Sequence, residues 1–259
     1  NIKDIKIPSF IKYISPKCFI NNYNLKKIEF AENSNLQTIG KYAFENTNLE
    51  KIIIPANVRY IKDIFFECKN LKVIGFEANS KINTIGKNAF FDSSIEEFSI
   101  PTSLKELKNG WCERTSKLNR ISISPENKYF KIIDQKMIVG KSSSSKDIFD
   151  VLVFACRDIE KVTIPSYIKY ISPYCFENCK KLKTVNLLEN SELINIGKFA
   201  FSYSSIESIS IPKNCKNIEE YCFYFTTKLS NVEFSKNSEL GFIPNNTFQS
   251  SNLRSIIIP

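Results

Sequence analysis

Two hexapeptides decide the architecture: Leu25-Lys26-Lys27-Ile28-Glu29-Phe30 and Ile39-Gly40-Lys41-Tyr42-Ala43-Phe44. In the first, Ile28 and Phe30 stand two apart and share one face of a strand, while Lys27 and Glu29 point the other way. The second recurs as Ile85-Gly86-Lys87-Asn88-Ala89-Phe90 and as Ile196-Gly197-Lys198-Phe199-Ala200-Phe201. A dipeptide series interleaves with it: Ile7-Pro8, Ile54-Pro55, Ile100-Pro101, Ile164-Pro165, Ile211-Pro212 and Ile258-Pro259, its prolines separated by 47, 46, 64, 47 and 47 residues. The two series alternate, so the repeating unit is half of 47, or 22 to 25 residues. Units start at Ile2, Leu25, Leu49, Leu71, Ile95, Leu118, Ile159, Leu182, Ile206, Leu229 and Leu253.

Each unit reads as a strand, a spacer, a second short apolar pair and a closing aromatic. Proline just after the strand removes a donor where ladder pairing should stop. Gly40, Gly86 and Gly197 are expected to supply a turn with φ > 0. Alternate units carry an Asn-Ser turn instead, at Asn33-Ser34, Asn79-Ser80, Asn190-Ser191 and Asn237-Ser238. A single coil cannot bury its apolar face, whereas stacked coils can. The pattern therefore predicts a solenoid with a parallel β-ladder on its concave face and short strands, turns or short helices on its convex face. The expected core column is Phe19, Phe44, Phe66, Phe90, Phe176, Phe201, Phe223 and Phe248. One solenoid is expected over 1–259, with a first block at 1–123, an insertion at 124–158 and a second block at 159–259. Within the insertion, Tyr129 to Ile133 and Met137 to Val139 flank the hairpin turn Asp134-Gln135-Lys136. Ser142 to Ser145 reads as an exposed loop and Asp150 to Ala155 as a buried strand. The insertion is either a packed spacer or a ligand-contacting outgrowth.

The consensus LxxIxIPxxxxxIxxxAFxxCxxL resembles the BspA-like, or Treponema pallidum-type, leucine-rich repeat family over nearly the whole chain. The stretch from Ile123 through Ser124-Pro125-Glu126-Asn127 to Asp134 resembles that family's hairpin between repeat blocks. Three positions depart from the pattern: Gly110-Trp111-Cys112 lacks the closing Phe, Cys215 replaces an aliphatic, and Pro244 replaces the turn glycine. The family is typical of surface proteins of host-associated bacteria and protozoan parasites. The resemblance implies a cell-surface or secreted adhesin module that binds a protein or glycan on a host cell or matrix.

The chain has 259 residues, 42% of them apolar, with 36 Lys and Arg against 27 Asp and Glu, a formal charge of +9. Histidine is absent, which removes Ser-His-Asp triads, Cys-His dyads and His-ligated metals. No phosphate-binding loop occurs among the seven isolated glycines. The adjacent acids Glu96-Glu97 and Glu219-Glu220 face opposite ways in a strand and cannot share a substrate. No catalytic residue, cofactor or metal site is expected, nor a nucleic-acid partner. The eight cysteines (18, 68, 112, 156, 175, 179, 215 and 222) keep repeat register, as small core fillers do. They are read as mostly buried thiols, and Cys175 and Cys179 have no matching second pair for zinc. Asn245-Asn246-Thr247 is the one N-glycosylation sequon and decides little.

The candidate ligand-facing residues lie on strand positions that alternate with the core: Lys27, Glu29, Lys51, Glu97 and Arg120, then Lys161, Thr163, Asn186, Ser208 and Asn231. Along the whole row Lys and Arg number five and acids four, so the net charge is not a basic concave stripe. The excess sits partly in a column, Lys41, Lys87 and Lys198, and in Lys12-Tyr13, Arg59-Tyr60 and Lys169-Tyr170. These read as a solvated outer face, with an anionic-glycan site as the alternative. No run reaches the roughly 18 apolar residues of a membrane-spanning helix. The chain begins at Asn1 without Met or leader features and reads as a fragment, so anchoring is expected only through segments outside it. Neither end shows a polar capping repeat, which leaves end-to-end association open. The leading reading is a non-enzymatic extracellular recognition module, and the alternative is an intracellular scaffold for protein partners.

Overall fold

The computed structural model describes residues 2–143, 145 and 147–257. The chain divides into two compact units between Tyr129 and Phe130. In the first, six parallel strands pair in chain order: Asp4–Ile7, Lys27–Phe30, Lys51–Ile54, Val73–Phe76, Glu97–Ile100 and Arg120–Ile123. In the second, five do so: Lys161–Ile164, Thr184–Leu187, Ser208–Ile211, Asn231–Phe234 and Ser255–Ile257. Each is one rung of a repeat, so each unit is a parallel β-solenoid of the leucine-rich repeat class. Pro8, Pro55, Pro101, Pro165 and Pro212 directly follow their strands, as the missing donor requires. Ile258-Pro259 and Ser144 lie outside the described residues.

A second set of two-residue strands lies after each spacer, including Tyr13–Ile14, Thr38–Ile39, Tyr60–Ile61 and Thr84–Ile85. Their isoleucines are buried and their Tyr or Thr face outward. In the second unit the corresponding sheet begins with the insertion. Phe130–Ile133 and Met137–Gly140 form an antiparallel hairpin, and Val151–Ala155 joins that hairpin to the parallel strands Tyr170–Ile171, Asn195–Ile196 and Asn217–Ile218. Asp134 and Gln135 both have positive φ in the three-residue connection 134–136, which the Lys136 N–H closes by donating to the Ile133 carbonyl at 3.2 Å. Met137, Ile138 and Val139 are buried, so the hairpin of the insertion is packed into the second unit.

The third side of each coil has no helix among the described residues, where short helices were one of the expected forms. The reason is local. Left-handed residues recur four apart, as at Tyr42 and Asn46, Asn88 and Asp92, and Phe199 and Tyr203. They break any α-helical run and turn alternate N–H groups toward the neighbouring coil. Tyr42, Phe44 and Asn46 thus donate to Asp63, Ile64 and Phe66 carbonyls at 2.7, 3.2 and 3.1 Å. Buried backbone groups that a helix would satisfy internally are satisfied between coils instead.

The expectation for the glycines needs correcting. Gly40, Gly86 and Gly197 do not have positive φ; Tyr42, Asn88 and Phe199, two residues later, do. Gly40 and Gly197 are there because the adjacent backbone passes too close for a side chain, and Gly86 because the Tyr60 and Lys62 side chains do. A Cβ on Gly197 would lie 2.5 Å from the Pro173 nitrogen, and one on Gly40 2.4 Å from that of Pro16.

Phenylalanine rings stack at the coil repeat. Centroids of Phe19, Phe44, Phe65 and Phe90 are 5.5, 5.6 and 5.9 Å apart, and those of Phe176, Phe201, Phe223 and Phe248 are 4.9, 5.4 and 5.3 Å apart. Phe65 takes the place expected for Phe66. Only four residues separate Ile61 from the column, against five from Ile39 to Phe44, so the phase arrives one residue early. Phe66 lies outside the column, 4.2 Å from Phe91 and edge-on to Tyr42. Phe19 and Phe248 are half-buried because only one ring covers each. Where Cys112 replaces the closing Phe, buried Trp111 packs on Phe98 at 4.9 Å and Phe90 at 6.0 Å.

Two pairs of substitutions check these assignments by thermal or denaturant unfolding. Gly197→Ala should cost on the order of 1–3 kcal/mol of stability through overpacking, whereas Gly241→Ala, with nothing within 4 Å of the added carbon, should be nearly neutral. Phe65→Ala should cost about 3–5 kcal/mol and Phe66→Ala clearly less.

Candidate functional site

The parallel sheets present their outward side chains in the register read from the sequence. Lys27 pairs with Lys51, Lys51 with Val73, Val73 with Glu97 and Glu97 with Arg120; Lys6 pairs with Glu29 and Ser99 with Ser122. In the second unit Lys161 pairs with Thr184, Thr184 with Ser208, Ser208 with Asn231 and Asn231 with Ser255; Thr163 pairs with Asn186 and Ser210 with Glu233. The ten candidate ligand-facing residues are therefore outward, Glu97 and Asn231 half-buried and the others exposed.

The two faces differ in chemistry. On the first, charges are internally paired. Lys27 meets Glu29 within its own strand, and Arg120 meets Glu97 across rungs with Glu96 at 3.8 Å. The hydrogen bond between Lys27 and Glu29 holds the lysine above and the glutamate below their usual values. On the second face the row is hydroxyl and amide. Asn186 donates to Thr163 Oγ1 at 3.3 Å and Ser255 to Asn231 Oδ1 at 2.7 Å.

At the ends of strands Val73–Phe76, Glu97–Ile100 and Arg120–Ile123 an open groove of 780 Å³ extends the first face. Ser99 and Ser122 hydroxyls lie 2.7 Å apart there, as do those of Thr102 and Ser124, with Glu77 and Glu126 at the margin. The strand alternation did not single out Thr102, Ser124 or Glu126. The available signal was their place directly after the strand-ending Ile-Pro or its equivalent.

Half of the cations in these basic columns and pairs are neutralised. Lys41 lies 3.6 Å from buried Asp63, Lys198 2.9 Å from Glu220 and Lys169 3.6 Å from Glu192. Hydrogen bonding to Glu220 holds Lys198 above its usual value. Tyr13 and Tyr60 of the basic-aromatic pairs are exposed on the short strands.

Seven cysteines are buried and Cys18 is exposed. Burial pushes the Cys68 and Cys179 thiols up to about 11 and those of Cys156 and Cys215 up to about 12, with Cys222 also raised well above the usual range. At neutral pH such thiols are protonated and unreactive. Among the described residues no group of three or more Cys, Asp and Glu could hold a metal ion.

The BspA-type leucine-rich repeat region model matches six copies over residues 1–119 and 147–259. The chain belongs to that family. Among solved structures it is similar to the pneumococcal vaccine antigen PcpA, at 26% identity and a TM-score of 0.80, over 98% of this chain and 67% of that one. A leucine-rich repeat protein from Eubacterium ventriosum aligns at 23% identity and a TM-score of 0.76, over 99% and 66%. A leucine-rich cell surface protein from Faecalibacterium prausnitzii aligns at 18% identity and a TM-score of 0.68, over 98% and 78%. The chain thus spans about two thirds of the length of the first two. No curated protein matches it. BspA-type repeat regions are binding modules of the protein-interaction class.

Thiol chemistry offers a direct check. Native protein treated with a thiol reagent near neutral pH should show one fast-reacting group, removed by Cys18→Ser. The folded pKa values are raised above the usual 9.0. Their contribution to stability is full below about pH 9 and is lost as pH rises through 11 to 12. Unfolding free energy should therefore fall steeply over that window.

Proposed function

We propose that the chain is a non-enzymatic recognition module of a cell-surface adhesin and binds a protein or glycan on a host surface through the outer faces of its parallel sheets. The observation that carries this reading is the second unit's outward row. From Lys161 to Ser255 it is Thr, Asn and Ser apart from Lys161 and Glu233, all in register on five adjacent strands. Hydroxyl and amide side chains at a fixed lateral spacing offer adaptable hydrogen bonding over an area wide enough for a macromolecule. Nothing in the core needs them; they are solvent-facing and bonded mainly to one another. The surface assignment draws on the family and on the printed descriptions of its neighbours, a vaccine antigen and a cell surface protein. Raised thiol pKa values and the absence of histidine are consistent with a module that has no nucleophilic chemistry.

The buried, protonated thiols also suit a reducing compartment, which supports the scaffold alternative. Antibody labelling of source cells separates the two. Intact cells should label as strongly as permeabilised ones, and labelling only after permeabilisation would overturn the surface reading in favour of an intracellular scaffold.

A further inference from the structure

A second surface, on the turn side of the second unit, has a composition that the repeat does not require. Six rings form a continuous mesh across three successive coils: Tyr174, Phe199, Tyr203, Tyr221, Tyr224 and Phe225. Phe199 stacks on Tyr174 at 5.3 Å and on Tyr221 at 4.9 Å. Tyr224 meets Phe199, Tyr221, Tyr203 and Phe225 at 6.2, 5.7, 5.4 and 5.8 Å, and Tyr203 lies 5.3 Å from Phe225. None of the six is fully buried, and Phe225 is 44% exposed. These rings are distinct from the Phe176–Phe201–Phe223 column, which already fills the interior.

Five of the six occupy left-handed backbone positions, with φ between 56 and 63°. Such positions favour Gly, Asn and Asp and strain bulky side chains. Elsewhere the same coil positions hold Asn21, Asn46, Asp63, Asn88, Asp92, Gly110, Asn178 and Asn246, alongside Lys17, Glu67, Arg114, Ser250 and a single aromatic, Tyr42. The coil closes with the less strained Asn, Asp and Gly among them, so its geometry does not demand aromatics at Tyr203 or Phe225. A strained, half-exposed aromatic mesh points to an external contact.

The charges around it indicate what kind. Lys180 Nζ lies 5.1 Å from the Tyr203 ring centre and has no ion-pair partner among the described residues. Lys181 and Lys228 occupy one position of the coil, directly before Leu182 and Leu229, and both are exposed. Lys198 lies over Phe199 and Tyr221 and bridges to Glu220. Of the neighbouring acids, Glu177 is buried, Glu220 is bound to Lys198, and Glu219 accepts from Asn195 and the Lys198 amide. Lys180 is therefore the cation set against the apolar, tyrosine-rich floor without a close ion pair, with buried Glu177 near enough to act on its charge.

We infer that this mesh is a docking surface for a protein segment that places an apolar side chain next to a carboxylate: the apolar group lies on Tyr203, Tyr224 and Phe225, and the carboxylate meets Lys180. Tyrosine supplies broad contact area with few rotatable bonds, which suits protein recognition. The inference rests on the chain being a binding module, but not on the sheet faces being where it binds.

The test uses the full chain and the double variant Tyr203→Asn/Phe225→Asn. Probes are short synthetic peptides with a Trp-Leu core flanked by Asp, by Ser or by Lys, with heparin as an anionic glycan. The Asp-flanked peptides should bind best, and the double variant should weaken them about tenfold or more. Its melting temperature should hold or rise, because asparagine relieves the left-handed strain. A fall in melting temperature would make the rings structural and overturn the proposal. Peptide binding that is absent, or indifferent to flanking charge, would also overturn it. Heparin binding lost in the double variant without peptide binding would reassign the patch to glycans. Failure here leaves the surface-display result standing, and an intracellular result there leaves peptide binding standing.

Discussion

Each coil of this protein is completed by the next. An isolated rung has an open strand edge, a row of turn-side N–H groups without acceptors and a phenylalanine exposed on both faces. Stacking satisfies all three at once. The strand pairs in parallel, alternate turn amides reach the neighbouring carbonyls near 3 Å, and the ring lies 4.9–5.9 Å from its counterpart. The coil separation of about 4.8 Å set by β-pairing is also close to the optimum for offset aromatic stacking. Backbone and side-chain demands therefore select the same repeat distance, which is why Phe is favoured in the column over a longer or shorter filler.

That constraint divides the surface by function. Positions that point inward are fixed by neighbours above and below, and hydroxyls close to the column serve the coil. Thr47, Ser93, Thr115 and Thr226 each donate to the carbonyl three residues earlier, at 2.6–2.9 Å. Cys68 takes the same position and reaches the Phe44 carbonyl through its sulfur at 3.0 Å. Positions that point outward carry no such duty. The sheet faces and the turn-side aromatics can vary without disturbing the stack. The first sheet's paired charges and the second's hydroxyl-amide row are two different outcomes of that freedom.

The net charge of +9 illustrates why composition alone misleads about partners. Much of the conspicuous basic column is tied up within the chain, with Lys41 against Asp63 and Lys198 against Glu220. An exposed pair such as Lys198 with Glu220 adds little to stability, but both pairs lower the field available to an anionic ligand.

The period, the strand phase and the inward or outward sense of each strand residue were fixed by the sequence alone. They depend on rules that act within one coil: alternation in strands, proline at a ladder's end and apolar spacing. The hairpin around Asp134-Gln135 was legible for the same reason. What depends on the neighbouring coil was not. The glycines looked like left-handed turn residues, yet Gly40 and Gly197 answer a backbone passing some twenty-four residues away in sequence. Phe66 looked like the core ring, but a coil one residue shorter puts Phe65 there. The aromatic mesh at Tyr203, Tyr224 and Phe225 was invisible because its members come from different coils and stand at backbone positions that sequence patterns assign to Asn or Gly. Only the tertiary structure decides such features, since stacking brings together residues whose separation along the chain carries no local signal.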